Sequence, residues 1–188
     1  SGNAHIAKLD LDMLLEAAVS SSKLKASKQA ESADVFIIAV PTPLNQDKSP
    51  DLSAVEAAFD SIAPQLKQGD LVILESTCPV GTTEKMVERL STQRPDIVFP
   101  VANHENADVY IAYCPERVLP GQILKELIEN DRVVGGITPA CTQEAIAFYQ
   151  SFVHGECIAT DSKTAEMCKL TENSFRDVNI AFANELSI

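Results

Sequence analysis

The strongest constraint on the fold is an alternation of short, solidly apolar runs with helical patterns. Asp34-Val-Phe-Ile-Ile-Ala-Val40 is a continuous β-branched and aromatic run, as a strand buried on both faces requires. After Pro41-Thr42-Pro43, the residues Leu52, Val55, Phe59, Ile62 and Leu66 recur at steps of three and four, which is one face of a helix. Ser53 and Glu56 have capping-box spacing at its start. Gly69 ends that helix, and Leu71-Val72-Ile73-Leu74 reads as the next buried strand. Cys78-Pro79-Val80-Gly81 then turns the chain into a second helix, with Thr82, Thr83 and Glu84 in its first turn and Met86, Val87 and Leu90 facing inward. Strand, helix, strand, helix predicts parallel pairing through crossovers.

The pattern continues. Residues 94–107 read as a loop, 109–112 as a strand, 123–128 as a short helix, 132–134 as a strand, 139–152 as a helix and 157–159 as a last strand. Asp161 or Ser162 can cap a long final helix. On it, Lys169 and Asn173 are one turn apart and share a face. They lie at the edge of the apolar stripe Met167, Leu170, Phe175, Val178 and Phe182. A partly desolvated lysine there can hold a developing negative charge, whereas a solvated lysine on an interface helix has the same pattern. The helix alone leaves both open.

Composition narrows the ligand classes. Among 188 residues, 27 are acidic and 15 basic, which argues against nucleic acid and anionic membrane surfaces. No apolar run approaches the roughly 20 residues of a bilayer span, and no basic-then-apolar leader opens the chain. Five cysteines without CxxC spacing indicate neither a zinc site nor a disulfide frame, and no other metal site is expected. The expectation is a cytoplasmic protein with reduced thiols. The chain opens Ser1-Gly2-Asn3 without methionine, which reads as a trimmed tag or a fragment.

In open α/β sheets, ligands sit beyond the carboxyl ends of the strands. Three segments leave strands there with unusual chemistry: Pro41-Thr42-Pro43, Ser76-Thr77-Cys78-Pro79-Val80-Gly81 and Cys114-Pro115-Glu116-Arg117. Pro, Ser and Thr after a strand usually just make turns; three converging segments are harder to explain that way. With Val40-Pro-Thr-Pro43, Glu75-Ser-Thr-Cys-Pro-Val-Gly-Thr-Thr83, Tyr113-Cys-Pro-Glu-Arg-Val-Leu-Pro-Gly121, Asn130-Asp-Arg-Val-Val-Gly-Gly136 and Ala165-Glu-Met-Cys-Lys-Leu-Thr-Glu-Asn173, the chain resembles the UDP-glucose/GDP-mannose dehydrogenase family from about Ala4 to its end. Pro-Glu-Arg-Val-Leu-Pro-Gly resembles the N-acetylhexosamine branch, since the glucose and mannose enzymes typically carry Pro-Glu-Phe-Leu. A weaker similarity, to 6-phosphogluconate and 3-hydroxyisobutyrate dehydrogenases, rests on the lysine-then-asparagine helix and lacks that segment.

The resemblance implies an NAD-dependent oxidation, in two steps, of a UDP-N-acetylhexosamine alcohol, N-acetylmannosamine or alternatively N-acetylglucosamine, to the uronic acid for cell-surface polysaccharide precursors, by a homodimer. It implies that Pro41, Thr42, Ser76 and Thr77 contact the cofactor, with Thr77 also near a catalytic water. Glu116 would be the acid of the hydration and hydrolysis steps, and Arg117, Val118 and Leu119 would line the sugar-nucleotide site. Lys169 and Asn173 would stabilise the oxyanion and contact substrate. The family's nucleophilic cysteine belongs to a glycine-rich motif downstream of this chain, and Cys114 and Cys168 are not assigned to that role.

No Gly-x-Gly-x-x-Gly occurs among the seven glycines, so the phosphate cradle of a Rossmann fold is missing. The expected fold is therefore α/β: a partial Rossmann-type doubly wound parallel sheet lacking its first two strands, then a long C-terminal helix. Residues 1–160 would be the partial NAD-binding domain and 161–188 the start of the central dimerisation and substrate-site helix. Residues 23–27 would be a third strand without its neighbour, and 34–40 an exposed edge open to pairing. A non-enzymatic dimerisation module of the same fold is the alternative from another class. The 188-residue chain alone is expected to bind NAD poorly and to oxidise no nucleotide sugar. Measurable turnover of a UDP-N-acetylhexosamine by the purified chain would contradict this.

Overall fold

The computed structural model describes residues 9–101, 106–118 and 123–187. The chain divides into two units, Ser1–Ala30 and Glu31–Ile188. The first holds helix α1 (Leu9–Ser20), closed by the N–H groups of Ser21 and Lys23 on the Ala17 and Ala18 carbonyls. The strand expected at residues 23–27 does not form. Ser27 instead accepts from the Gln29 N–H at 3.1 Å and donates to the Gln29 carbonyl at 2.9 Å. Local bonds of this kind compete with a ladder.

The second unit is a five-stranded sheet in the order β1-β2-β3-β4-β5, with strands β1 (Val35–Ile38), β2 (Leu71–Leu74), β3 (Tyr110–Tyr113), β4 (Arg132–Gly136) and β5 (Cys157–Asp161). Between them run α2 (Ser53–Ile62), a 3₁₀ turn (Ala63–Gln65), α3 (Thr82–Gln93), α4 (Ile123–Glu129) and α5 (Pro139–Gln150), and α6 (Ser162–Leu186) follows. All of β2 is buried, as its unbroken apolar run requires. Under α5, Leu71, Ile73, Ala112, Cys114, Val134 and Tyr149 form one core cluster.

Three expectations need correction. First, β1 lies at the edge, as the incomplete sheet implies, but its continuous apolar run alternates buried and exposed positions, with Ile37 44% exposed. It is not covered on both faces. Second, Ser53 does not cap α2. Leu52 is the N-cap residue without a side-chain bond, and Asp51 Oδ1 accepts from the Ser53 N–H at 2.9 Å. An aspartate two residues upstream does the work of the expected Ser53–Glu56 box.

The third correction concerns strand direction. β1, β2 and β3 are parallel, but β4 is antiparallel to β3, pairing Ala112 with Gly136 and Tyr113 with Gly135. Among the described residues, the link from β3 to β4 holds one helix, the seven-residue α4, about 10 Å long at ~1.5 Å per residue. Such a link suits an antiparallel neighbour, entered from the end at which the previous strand was left. β5 then pairs parallel to β4. Because β5 is reversed relative to β1–β3, a helix that turns back from it runs toward the carboxyl ends of β1–β3. Asp161 caps α6, accepting from the Thr164 N–H at 2.9 Å. Gly135 lets α6 approach, since a Cβ there would stand 2.1 Å from the Asp161 carbonyl oxygen and 2.8 Å from Ala165 Cβ.

Helices α2 and α3 are held by a forked pair, with Arg89 Nε and Nη2 donating to the two Asp60 oxygens at 2.6 and 2.7 Å. Arg89, and then Gln93, lower the Asp60 pKa from its ordinary 3.8 to about 2. With the folded value depressed, the pair's contribution is complete above the ordinary value and disappears as pH falls through about 2. Both side chains are over a third exposed, so Asp60→Asn should cost under about 1 kcal/mol near neutrality. Urea denaturation near neutral pH and again at about pH 2.5 should show the wild type losing its advantage over the variant.

Candidate functional site

The carboxyl ends of β1, β2 and β3 lie side by side in the parallel half of the sheet, and the three segments singled out above emerge there. The first two are fastened together. Ser76, buried, accepts from the Val40 N–H at 2.8 Å and faces the Val40 carbonyl at 2.8 Å. Thr42 donates its hydroxyl to the Thr77 carbonyl at 2.6 Å. The Thr42 and Ser76 hydroxyls therefore hold the loop ends to each other. Pro41 is exposed and Thr77 half-buried in the resulting surface.

The third segment is folded on itself and onto α6. The Glu116 carboxylate accepts from the Val118 N–H, and the Glu116 carbonyl accepts from Lys169 Nζ. Arg117 forks onto Glu172, with Nη2 2.5 Å from Oε1 and Nε 3.1 Å from Oε2, and its Nη1 lies 3.4 Å from the Asp131 carbonyl. The reversed β4 brings Asp131 there. Val118 is half-buried; Leu119 lies outside the described residues. Asn173, half-buried, stands one turn beyond Lys169 on α6. A groove of about 570 Å³ lined by Arg117, Lys169, Glu172, Phe175, Arg176 and Asn179 opens beside them, within the size range of small-molecule sites.

One residue was not anticipated. Glu166, with no exposure to solvent, accepts from the Gly81 N–H, from the Thr83 N–H at 2.8 Å and from the Thr83 hydroxyl at 2.6 Å. One turn earlier, Lys163 pairs with Glu84 at 2.8 Å. Lys163, Glu166, Lys169 and Glu172 thus recur every third position along α6, the first two on α3 and the last two on the Glu116-Arg117 segment. That alternating charge at a spacing of three was legible in the sequence. Where each member lands was not.

Residues 1–153 match the UDP-glucose/GDP-mannose dehydrogenase family, NAD binding domain, and residues 163–188 match the central domain of the same family. Over 187 residues, the chain is 60% identical to an NDP-N-acetyl-D-galactosaminuronic acid dehydrogenase of Ralstonia nicotianae and 60% identical to the UDP-N-acetyl-D-mannosamine dehydrogenase of Escherichia coli K12. Each alignment takes in all of this chain and 44% of the relative, so the chain spans under half the length of those relatives. The solved structure of a UDP-D-ManNAc dehydrogenase from Pyrococcus horikoshii superposes with a TM-score of 0.89 at 45% identity, over 98% of this chain and 43% of that one.

The cysteines at this end of the sheet have the wrong electrostatics for a nucleophile. Burial, and then the nearby negative Glu166, push Cys78 up to about 12, and burial pushes Cys114 up to about 11. Both are protonated at neutral pH, and the thiol form is unreactive. Cys141 is also buried, whereas Cys157 and Cys168 are half-buried. Iodoacetamide at neutral pH should therefore label Cys157 and Cys168 first, with Cys78, Cys114 and Cys141 reacting only in denaturant. Peptide mass mapping checks this, and rapid labelling of Cys114 in the folded protein would contradict it.

Proposed function

As the chain belongs to the UDP-glucose/GDP-mannose dehydrogenase family, we propose that it is the cofactor-side part of an NAD-dependent UDP-N-acetylmannosamine 6-dehydrogenase, which oxidises a nucleotide-sugar alcohol twice to the uronic acid. Residues 1–160 are its partial NAD-binding domain and 161–188 the start of its central helix. The observation that carries the reading is the Lys169 ammonium held against the Glu116 carbonyl, with the joined Pro41-Thr42 and Ser76-Thr77 segments at the ends of the neighbouring strands. The fit to the cofactor is partial. The joined loop ends suit its nicotinamide side, where Pro41, Thr42, Ser76 and Thr77 would hold it, but no glycine fingerprint is present for the pyrophosphate. Bound there, NAD supplies the acceptor for the hydride of the sugar carbinol.

The chain's own residues supply the electrostatics. As the alcohol proton passes to solvent water in the open groove, the oxygen of the substrate takes the place of the Glu116 carbonyl on Lys169 Nζ, where the ammonium stabilises the developing charge. Asn173, one turn along α6, adds a neutral donor on the same face. The Glu116 carboxylate, held by the Val118 N–H, accepts a proton from the water that hydrates the aldehyde. Arg117 reaches the substrate only by exchanging part of its bond to Glu172, so its first effect is to shape the groove.

We also propose a homodimer through the distal part of α6, supported by Phe175, Val178, Phe182 and Leu186, all more than half exposed. No helix among the described residues is long and apolar enough to cross a membrane. Cytoplasmic residence, in keeping with five free thiols, completes the reading. The galactosaminuronic acid enzyme at equal identity favours an N-acetylgalactosamine nucleotide as the second candidate substrate. The complete protein should be assayed in parallel on UDP-linked N-acetylmannosamine, N-acetylglucosamine, N-acetylgalactosamine and glucose. Acid should form fastest from N-acetylmannosamine, and Lys169→Ala should lower kcat by about 10²–10³-fold. Product from UDP-glucose alone would overturn the assignment.

A further inference from the structure

Helix α3 cannot cap itself. Its N-cap residue is Gly81 at φ +90°, a left-handed conformation that side-chain-bearing residues rarely adopt. With no side chain there, the Thr83 N–H lacks the local acceptor that Ser, Thr or Asp would provide, and Glu84, whose position could serve the Gly81 N–H, is paired with Lys163. Thr82 turns its own hydroxyl back to the Pro79 carbonyl at 2.7 Å. The acceptor comes instead from another helix: Glu166 receives both N–H groups and the Thr83 hydroxyl, 83 to 85 residues away in sequence. A carboxylate at a helix N-terminus also faces the positive end of the helix dipole.

This cap does more than close a helix. α3 follows directly on the Ser76–Gly81 loop, which carries Thr77. Glu166 is three residues before Lys169 on α6, a rise of about 4.5 Å. The span from Thr77 to Lys169 therefore passes through the buried contact of Glu166 with Gly81 and Thr83, whereas the ammonium of Lys169 has the Glu116 carbonyl as its own anchor. We infer that Glu166 is a positioning residue: by capping α3 from α6 it sets the placement of Lys169 relative to the Thr77 loop and so joins the cofactor and sugar halves of the site. This rests on the reaction proposed above.

The test uses the complete protein. Glu166→Gln keeps size and one acceptor oxygen but presents an NH₂ group to one of the three donors. It should lower kcat by about 10–100-fold with KM for the sugar nucleotide changed less than about threefold, the signature of a contact that matters only in the transition state. In a Lys169→Ala background the same change should cost less than about twofold, because the group being positioned is gone. Amide exchange at Gly81 and Thr83 should accelerate in Glu166→Gln, and this readout holds whether or not the protein turns over a nucleotide sugar. Thr83→Val, which removes one of the three donors, should fall between. An equal loss in both backgrounds, or unchanged exchange at Gly81 and Thr83, would overturn the inference. If the unaltered complete protein oxidised no nucleotide sugar, the reaction assignment would fail, while the exchange result would still decide whether Glu166 caps α3.

Discussion

A carboxylate out of reach of water, that of Glu166, is the joint between the two helices that flank the candidate site. Burying such a group is costly unless its oxygens are satisfied, and here three donors at the start of α3 satisfy them. The need is mutual. Gly81 leaves the helix end without a local cap, and Glu166 has no other partner of comparable quality among the described residues. Removing one side would leave the other buried and unpaired, a loss larger than the net worth of a hydrogen bond. The Lys163–Glu84 pair beside it is surface-exposed on both sides and contributes far less.

The direction of α6 is a property of the sheet. Had β4 and β5 run parallel to β1–β3, a helix leaving β5 would start at the site end and turn away from it. The reversal at β4 lets α6 start at the opposite end and run back, so that Glu166, Lys169 and Glu172 come in turn against α3, the Glu116 carbonyl and Arg117. It also sets Asp131 beside Arg117. Gly135 is the local condition for this, because a larger residue would meet the Asp161 backbone. The polar loop residues serve the same end. Ser76 and Thr42 tie strand-end segments to each other across 35 or more residues of sequence, so the loops are ordered before any ligand arrives and less ordering has to accompany binding.

What the sequence determined by itself is what depends on neighbours in the chain. The bounds of β2, the periodicity of α2 and α3, a cap for α6 at Asp161 or Ser162 and the shared face of Lys169 and Asn173 follow from spacing and from the conformational preferences of adjacent residues. The motifs at the strand ends were equally legible, and with them the family. The reversal of β4 and the partners of Ser76 and Glu166 were decided only by tertiary structure. Each depends on which distant segments come together, and a buried donor or acceptor takes the partner that the packing brings within reach. The sequence placed a glutamate three residues before a lysine; the helix end that the glutamate caps is 83 residues earlier in the chain, and only the folded sheet brings the two into contact.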